Sequence, residues 1–182
     1  MNSREGNQCS TRDDTPIIMT KRIIPLPEKI SIASLSRWVD KCLQEGVPRG
    51  IISFTLLSHT NQVFNLEQLE SLSAVENNIS TIMVNRNLNG IEFEKAGHFE
   101  EAIFLYEQNV ADWFEGDHPY NRLRVIYINR KQLKDAIRVC DAFINVADEL
   151  IALGSPRADL PLKREKFLEW AKKLREKDAQ AR

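Results

Sequence analysis

The 182-residue sequence predicts an all-α fold of stacked helical hairpins, on three observations. Apolar residues recur at helical spacing through most of the chain beyond residue 30. Residues 86–110 overlay residues 120–144 at an offset of 34: Phe93 on Tyr127, Phe99 on Leu133, Ala102 on Ala136, Ile103 on Ile137, Leu105 on Val139 and Tyr106 on Cys140. Within the first copy stand two glycines, Gly90 and Gly97, although an isolated glycine costs a helix about 1 kcal/mol relative to alanine. They fit a pair of helices that approach closely at one glycine and turn at the other.

Composition bounds the functional classes. Apolar residues make up 42% of the chain, enough for a sizeable core, and the net charge of -1 carries no bulk bias toward nucleic acid or a membrane surface. No apolar run reaches the roughly 18 residues of a transmembrane span, and "MNSREGNQCSTRDDTP" lacks the apolar centre of a signal peptide. Three cysteines, Cys9, Cys42 and Cys140, have no metal-like spacing and suit free thiols in a reducing, cytoplasmic setting. Without a secretory signal, the "NIS" at Asn78 is a chance match to a glycosylation sequon.

Taken in order, residues 1–20 are polar and charged and read as a disordered leader. Residues 21–84 form an arm and a helical region. "RIIPLPEK" (22–29) is extended because of its two prolines, and an amphipathic helix then starts at Ser34 or Ser36 and runs to Leu43. Its apolar side is Leu35, Trp38, Val39 and Cys42, and Gly46 stops it. Residues 51–57 allow either a buried strand or a short helix with Pro48 near its start; the helical character of everything after favours helix. Asn65 caps a long pattern of Leu66, Leu69, Leu72, Val75, Ile79 and Ile82, with a break expected near Asn77-Asn78. The two copies occupy 85–153, joined by "DWFEGDHPY" (112–120), in which Gly116 permits a turn, Pro119 enters the next helix and Trp113 and Phe114 plug the space beneath. Residues 154–182 read as a loop (154–161), a helix (162–177) and a basic tail. Leu162, Phe167, Trp170, Ala171 and Leu174 form that helix's apolar stripe, suited to cap the stack.

The first copy resembles the tetratricopeptide repeat, whose period is also 34. Gly90 stands at the family's small residue in helix A, Phe93 at the aromatic three positions on and Gly97 at the turn glycine. Phe99, Ala102 and Tyr106 stand at the next aromatic, the helix B alanine and the helix B aromatic. The resemblance covers roughly residues 85–145, about a third of the chain. The second copy keeps Leu123, Tyr127 and Ala136 but has Arg124 and Lys131 for the glycines and Cys140 for the aromatic. At the helix crossings Ala102 and Ala136 are expected to be buried, with Phe93, Phe99 and Tyr106 filling the space between helices and Arg124 reaching past the crossing to solvent.

Catalysis is not expected. His59, His98 and His118 have no partner at ligand or triad spacing, and His98 and His118 read as surface or capping residues. Asp112, Glu115 and Asp117 lack the alternating pattern of a calcium loop, and no phosphate-binding glycine motif or nucleophile elbow occurs. No metal, cofactor or nucleic-acid site is therefore expected.

The resemblance implies protein binding, by an adaptor or scaffold that holds an extended peptide in a concave groove. Register with the family places Asn87, Ile91, Glu94 and Lys95 of the first copy in that groove, with Asn121, Val125, Ile128 and Asn129 of the second. Glu94 and Arg122 flank it and would orient the peptide by charge. The family's clamp for chaperone carboxylate tails does not carry over, because Ile91 replaces its asparagine and Asn87 its lysine. Two alternatives stand beside this reading: the chain's own N-terminal region covers the surface, or the helices form a structural or self-associating module. Local charge is divided, acidic over 92–117 and basic over 122–138, which suits attraction between neighbouring hairpins.

Overall fold

The structure is a computed structural model that describes residues 25–60, 62 and 65–181; the leader expected at 1–20 lies outside them. The described residues form seven α-helices and no strand: α1 (Ile32–Gln44), α2 (Arg49–Thr60), α3 (Leu66–Lys95), α4 (Phe99–Ala111), α5 (His118–Asn129), α6 (Leu133–Ala152) and α7 (Leu160–Gln180). No helix among them is long and apolar enough to cross a membrane.

α1 begins earlier than expected because Ser31 and Ser34 cap it reciprocally. Ser34 N–H donates to Ser31 Oγ at 3.3 Å, and Ser31 N–H donates to Ser34 Oγ at 3.0 Å. Its buried side is Leu35, Trp38, Val39 and Cys42, and Gly46 leaves the helix at φ 74°. The segment open to strand or helix is α2. Its start is pressed against the loop after α4: Gly50 N–H donates to the Asp112 carbonyl at 2.8 Å, and a Cβ on Gly50 would lie 2.1 Å from the Trp113 carbonyl oxygen.

Asn65 does cap α3, through Gln68, but no break follows at Asn77-Asn78. Both asparagines are exposed, so they leave the backbone ladder alone, while Glu76 and Ile79 beside them are buried. Glu76 Oε1 accepts a 2.7 Å hydrogen bond from Ser53 Oγ of α2. Leu72, Val75, Ile79 and Met83 carry the burial; Leu66, Leu69 and Ile82 are exposed. The division expected at residues 84–85 therefore falls inside one 30-residue helix. The first half of α3 packs with α1 and α2 around one apolar cluster, and α4–α7 build a second. Trp113 touches both clusters.

Two helix pairs follow, α3 with α4 and α5 with α6. Their turns superpose by sequence. His98 N–H donates to the Phe93 carbonyl at 2.9 Å and Gly97 N–H to that of Glu94 at 3.0 Å; 34 residues on, Gln132 donates to Tyr127 at 2.8 Å and Lys131 to Ile128 at 3.0 Å. Gly97 has φ 81° and Lys131 φ 60°, so lysine is held in the left-handed region that glycine occupies without strain. Ala102 and Ala136 are both 0% exposed.

Four packing expectations are corrected. Phe93 and Phe99 remain 39% and 44% exposed, so Tyr106 alone of the three aromatics fills the α3–α4 crossing. Arg124 is only partly exposed, because past the crossing its guanidinium lies on the Trp170 ring of α7, 3.8 Å from its centre. Finally, α7 starts at Leu160, which is buried, whereas Leu162 is 76% exposed. Pro161 fits that first turn, where a missing N–H costs nothing.

Candidate functional site

The second half of α3 and the N-terminal half of α5 are joined by side chains across a concavity of about 380 Å³. Ile91, Glu94 and Lys95 line one wall, His118 and Arg122 the other. The spacing explains the grouping. Residues 87, 91, 94 and 95 fall within two turns on one helix face, and 118 and 122 are one turn apart on α5.

The Glu94–Arg122 pair spans the concavity. Arg122 Nε lies 3.1 and 3.0 Å from the two Glu94 oxygens, and Nη2 also donates to Oε1. Tyr106 Oη, rising from α4 beneath, donates to Glu94 Oε2 at 3.2 Å. The Arg122 hydrogen bonds hold the Glu94 carboxyl below its usual range against the opposing effect of burial, and they raise Arg122 in turn. Burial pushes the Tyr106 phenol well above its usual range, so it stays a donor. The two charges expected to flank the groove are thus paired with each other.

His118 is half-buried, not a surface or capping residue. Its Nδ1 is 3.0 Å from Asn87 Oδ1, and its ring meets that of Tyr106 edge-on at 5.8 Å between centres. Since Oδ1 can only accept, Nδ1 carries the proton in this contact and the Asn87 amide keeps its two donors free. Burial, then Arg122, lowers the His118 pKa, and Glu94 and Asp117 oppose the shift. His118 and Tyr106 are the contributors that the sequence reading missed; the i, i+4 spacing of His118 to Arg122 is the signal that points to the first.

The second row is only partly presented. Asn121 Oδ1 accepts from Arg124 Nη2 at 2.8 Å. Val125 is half-buried, Ile128 packs partly into the apolar cluster, and Asn129 is exposed at the helix end. Ile91, Glu94, Lys95 and Arg122 are thus gathered at one hollow, Asn87 stands at its rim, and Asn121, Val125, Ile128 and Asn129 continue along α5 outside it. The described N-terminal helices pack on the first half of α3 and leave this surface uncovered. Among the described residues, no three acidic, histidine or cysteine side chains gather to hold a metal ion. No family model, curated protein or solved structure matches the chain.

Proposed function

We propose that the chain is a tetratricopeptide-like adaptor or scaffold, not an enzyme, and that it holds an extended segment of another protein along the α3–α5 concavity. The observation that carries this is the hollow itself, open and lined by an aliphatic side chain among polar ones. The matching turns of the two hairpins and the 34-residue register of Ala102 and Ala136 support the repeat reading. Asn87 and Asn121 have their Oδ1 atoms engaged and their Nδ2 donors available to peptide carbonyls. Neutral hydrogen bonds of this kind contribute about 0.5–1.5 kcal/mol each, which sets the affinity in the micromolar range. Cys42 and Cys140 are buried free thiols, in keeping with a reducing, cytoplasmic setting.

The test starts from a partner captured by affinity pull-down. Replacing Asn87 and Asn121 together by alanine weakens binding at least several-fold in protein that circular dichroism shows to be folded, while Glu101→Ala and Lys134→Ala on the outer face do not. The reverse pattern would move the partner to the convex side. A second reading, self-association, is favoured by Phe104 and Leu162, which are 62% and 76% exposed and lie outside the hollow. Light scattering separates the two, since a concentration-independent dimer that Phe104→Ser or Leu162→Ser dissolves supports self-association.

A further inference from the structure

At the junction of α5 and α7 lies a cation that has no counter-ion among the described residues. Arg124 occupies the place that Gly90 holds in the first copy, so its stem passes through a helix crossing and its guanidinium emerges against Trp170. The Arg124 Cζ is 3.8 Å from the ring centre, and Lys166 Nζ is 4.9 Å from the same centre. Among the described residues no carboxylate pairs with either. Among the described residues the guanidinium hydrogen-bonds only from Nη2 to Asn121 Oδ1, and its buried Nε meets no acceptor.

Such an arrangement is costly. A partly buried guanidinium loses hydration, and Arg122 on the same helix adds repulsion, while the ring quadrupole returns only about 0.5–2 kcal/mol. Cys140 beside it supplies no charge, since burial pushes its thiol up to about 12. Three cations of α7 that lie beside α5, α6 or the loop before α5 are paired instead: Lys163 with Asp117 and Asp159, Arg164 with Asp148, and Arg175 with Asp141.

We propose that Arg124 and Lys166, held on Trp170, form an oxyanion-binding site at the α5–α7 junction, which takes a carboxylate or phosphoryl group. The Arg124 edge donates hydrogen bonds, Lys166 adds the second charge, and Asn121 holds the guanidinium through Nη2. The site is separate from the hollow at Glu94–Arg122 and does not depend on peptide binding there.

The indole N–H of Trp170 is the reporter, beside those of Trp38 and Trp113. The labelled protein is titrated with inorganic phosphate and, separately, with acetate, at constant ionic strength set with sodium chloride. A saturable shift confined to the Trp170 signal is expected with one or both. Arg124→Met keeps an apolar stem on the ring and is expected to abolish it, and Lys166→Met to weaken binding several-fold. A stronger response to phosphate marks a phosphoryl source, and a stronger response to acetate a carboxylate. Circular dichroism and the unmoved Trp38 and Trp113 signals establish that the variants fold. No saturable shift with either anion, or one that Arg124→Met leaves unchanged, overturns the proposal.

Discussion

Tyr106 lies directly beneath Gly90: a Cβ on Gly90 would sit 2.5 Å from Tyr106 Cε1 and 3.0 Å from Cδ1. The ring is 0% exposed and its hydroxyl is tied to Glu94, so it has little room to yield. Gly90→Ala therefore destabilises the protein by about 1–3 kcal/mol by overpacking, although alanine is the better helix former by about 1 kcal/mol. Tyr106→Leu in the same chain removes the clash and recovers part of the loss. Denaturant midpoints of the two single variants and the double variant measure this; additive losses would mean that the residues do not share the crossing.

At the corresponding points of α4 and α6, Ala102 and Ala136 have no accessible surface. Glutamate at either position buries a charge with no partner, and each variant is expected to lose about 3 kcal/mol or more. Thermal melting is the measurement. Unchanged melting of either one would place that alanine outside a crossing.

Lys131 offers a test in the stabilising direction. Its φ of 60° matches the 81° of Gly97 at the same step of the first turn. Lys131→Gly relieves left-handed strain at an exposed helix end and raises stability by about 1 kcal/mol, while Gly97→Ala lowers it by a similar amount. Equal stability of Lys131→Gly and wild type would show that the lysine is not strained.

These three positions also show what the sequence made legible. The hairpins were readable because glycine, alanine and aromatic residues recur at a fixed offset, and each has a single steric reason at a helix crossing or turn. Trp113, with φ 58°, and Lys131 close their helices in the glycine conformation without being glycine, so residue type gave no warning. The continuity of α3 was hidden because Asn77 and Asn78 resemble a helix stop; only their exposure shows that their side chains do not compete for the backbone. At the candidate site, register placed Ile91, Glu94 and Arg122 together but not the bonds between them. The Glu94–Arg122 pair and the Asn87–His118 contact join residues 28 and 31 apart, and no local pattern encodes such pairings.

Asp112 links the two apolar clusters electrostatically. Arg49 Nη1 of α2 reaches both its oxygens at 3.0 Å, and Arg86 of α3 donates to Oδ2. The three side chains are 28%, 15% and 19% exposed in the order Arg49, Asp112, Arg86. Asp112→Asn leaves two cations facing each other with reduced hydration and costs about 1–3 kcal/mol. Adding Arg49→Met returns part of that loss, because one of the repelling charges is gone. A double variant that is the plain sum of its parts would deny the coupling.

Acid is expected to loosen the α3–α5 seam in two steps. The folded-state pKa of His118 is lowered from 6.5, chiefly by burial and then by Arg122, with Glu94 and Asp117 opposing. A depressed pKa means that the unfolded chain binds the proton first, so the stability from neutral His118 is present above 6.5 and is lost as pH falls through the folded value. Glu94 is lowered from 4.5 by its Arg122 hydrogen bonds, so its contribution is complete above 4.5 and is lost below it. Melting temperature should therefore fall from pH 7 to 5 less steeply in His118→Gln than in wild type. Glu94→Gln should keep the wild-type slope in that window and flatten the fall below pH 4.5. Taking each variant as a difference from wild type cancels groups elsewhere that titrate equally in both. A wild-type slope in His118→Gln between pH 7 and 5 would show that protonating this imidazole does not disturb the seam.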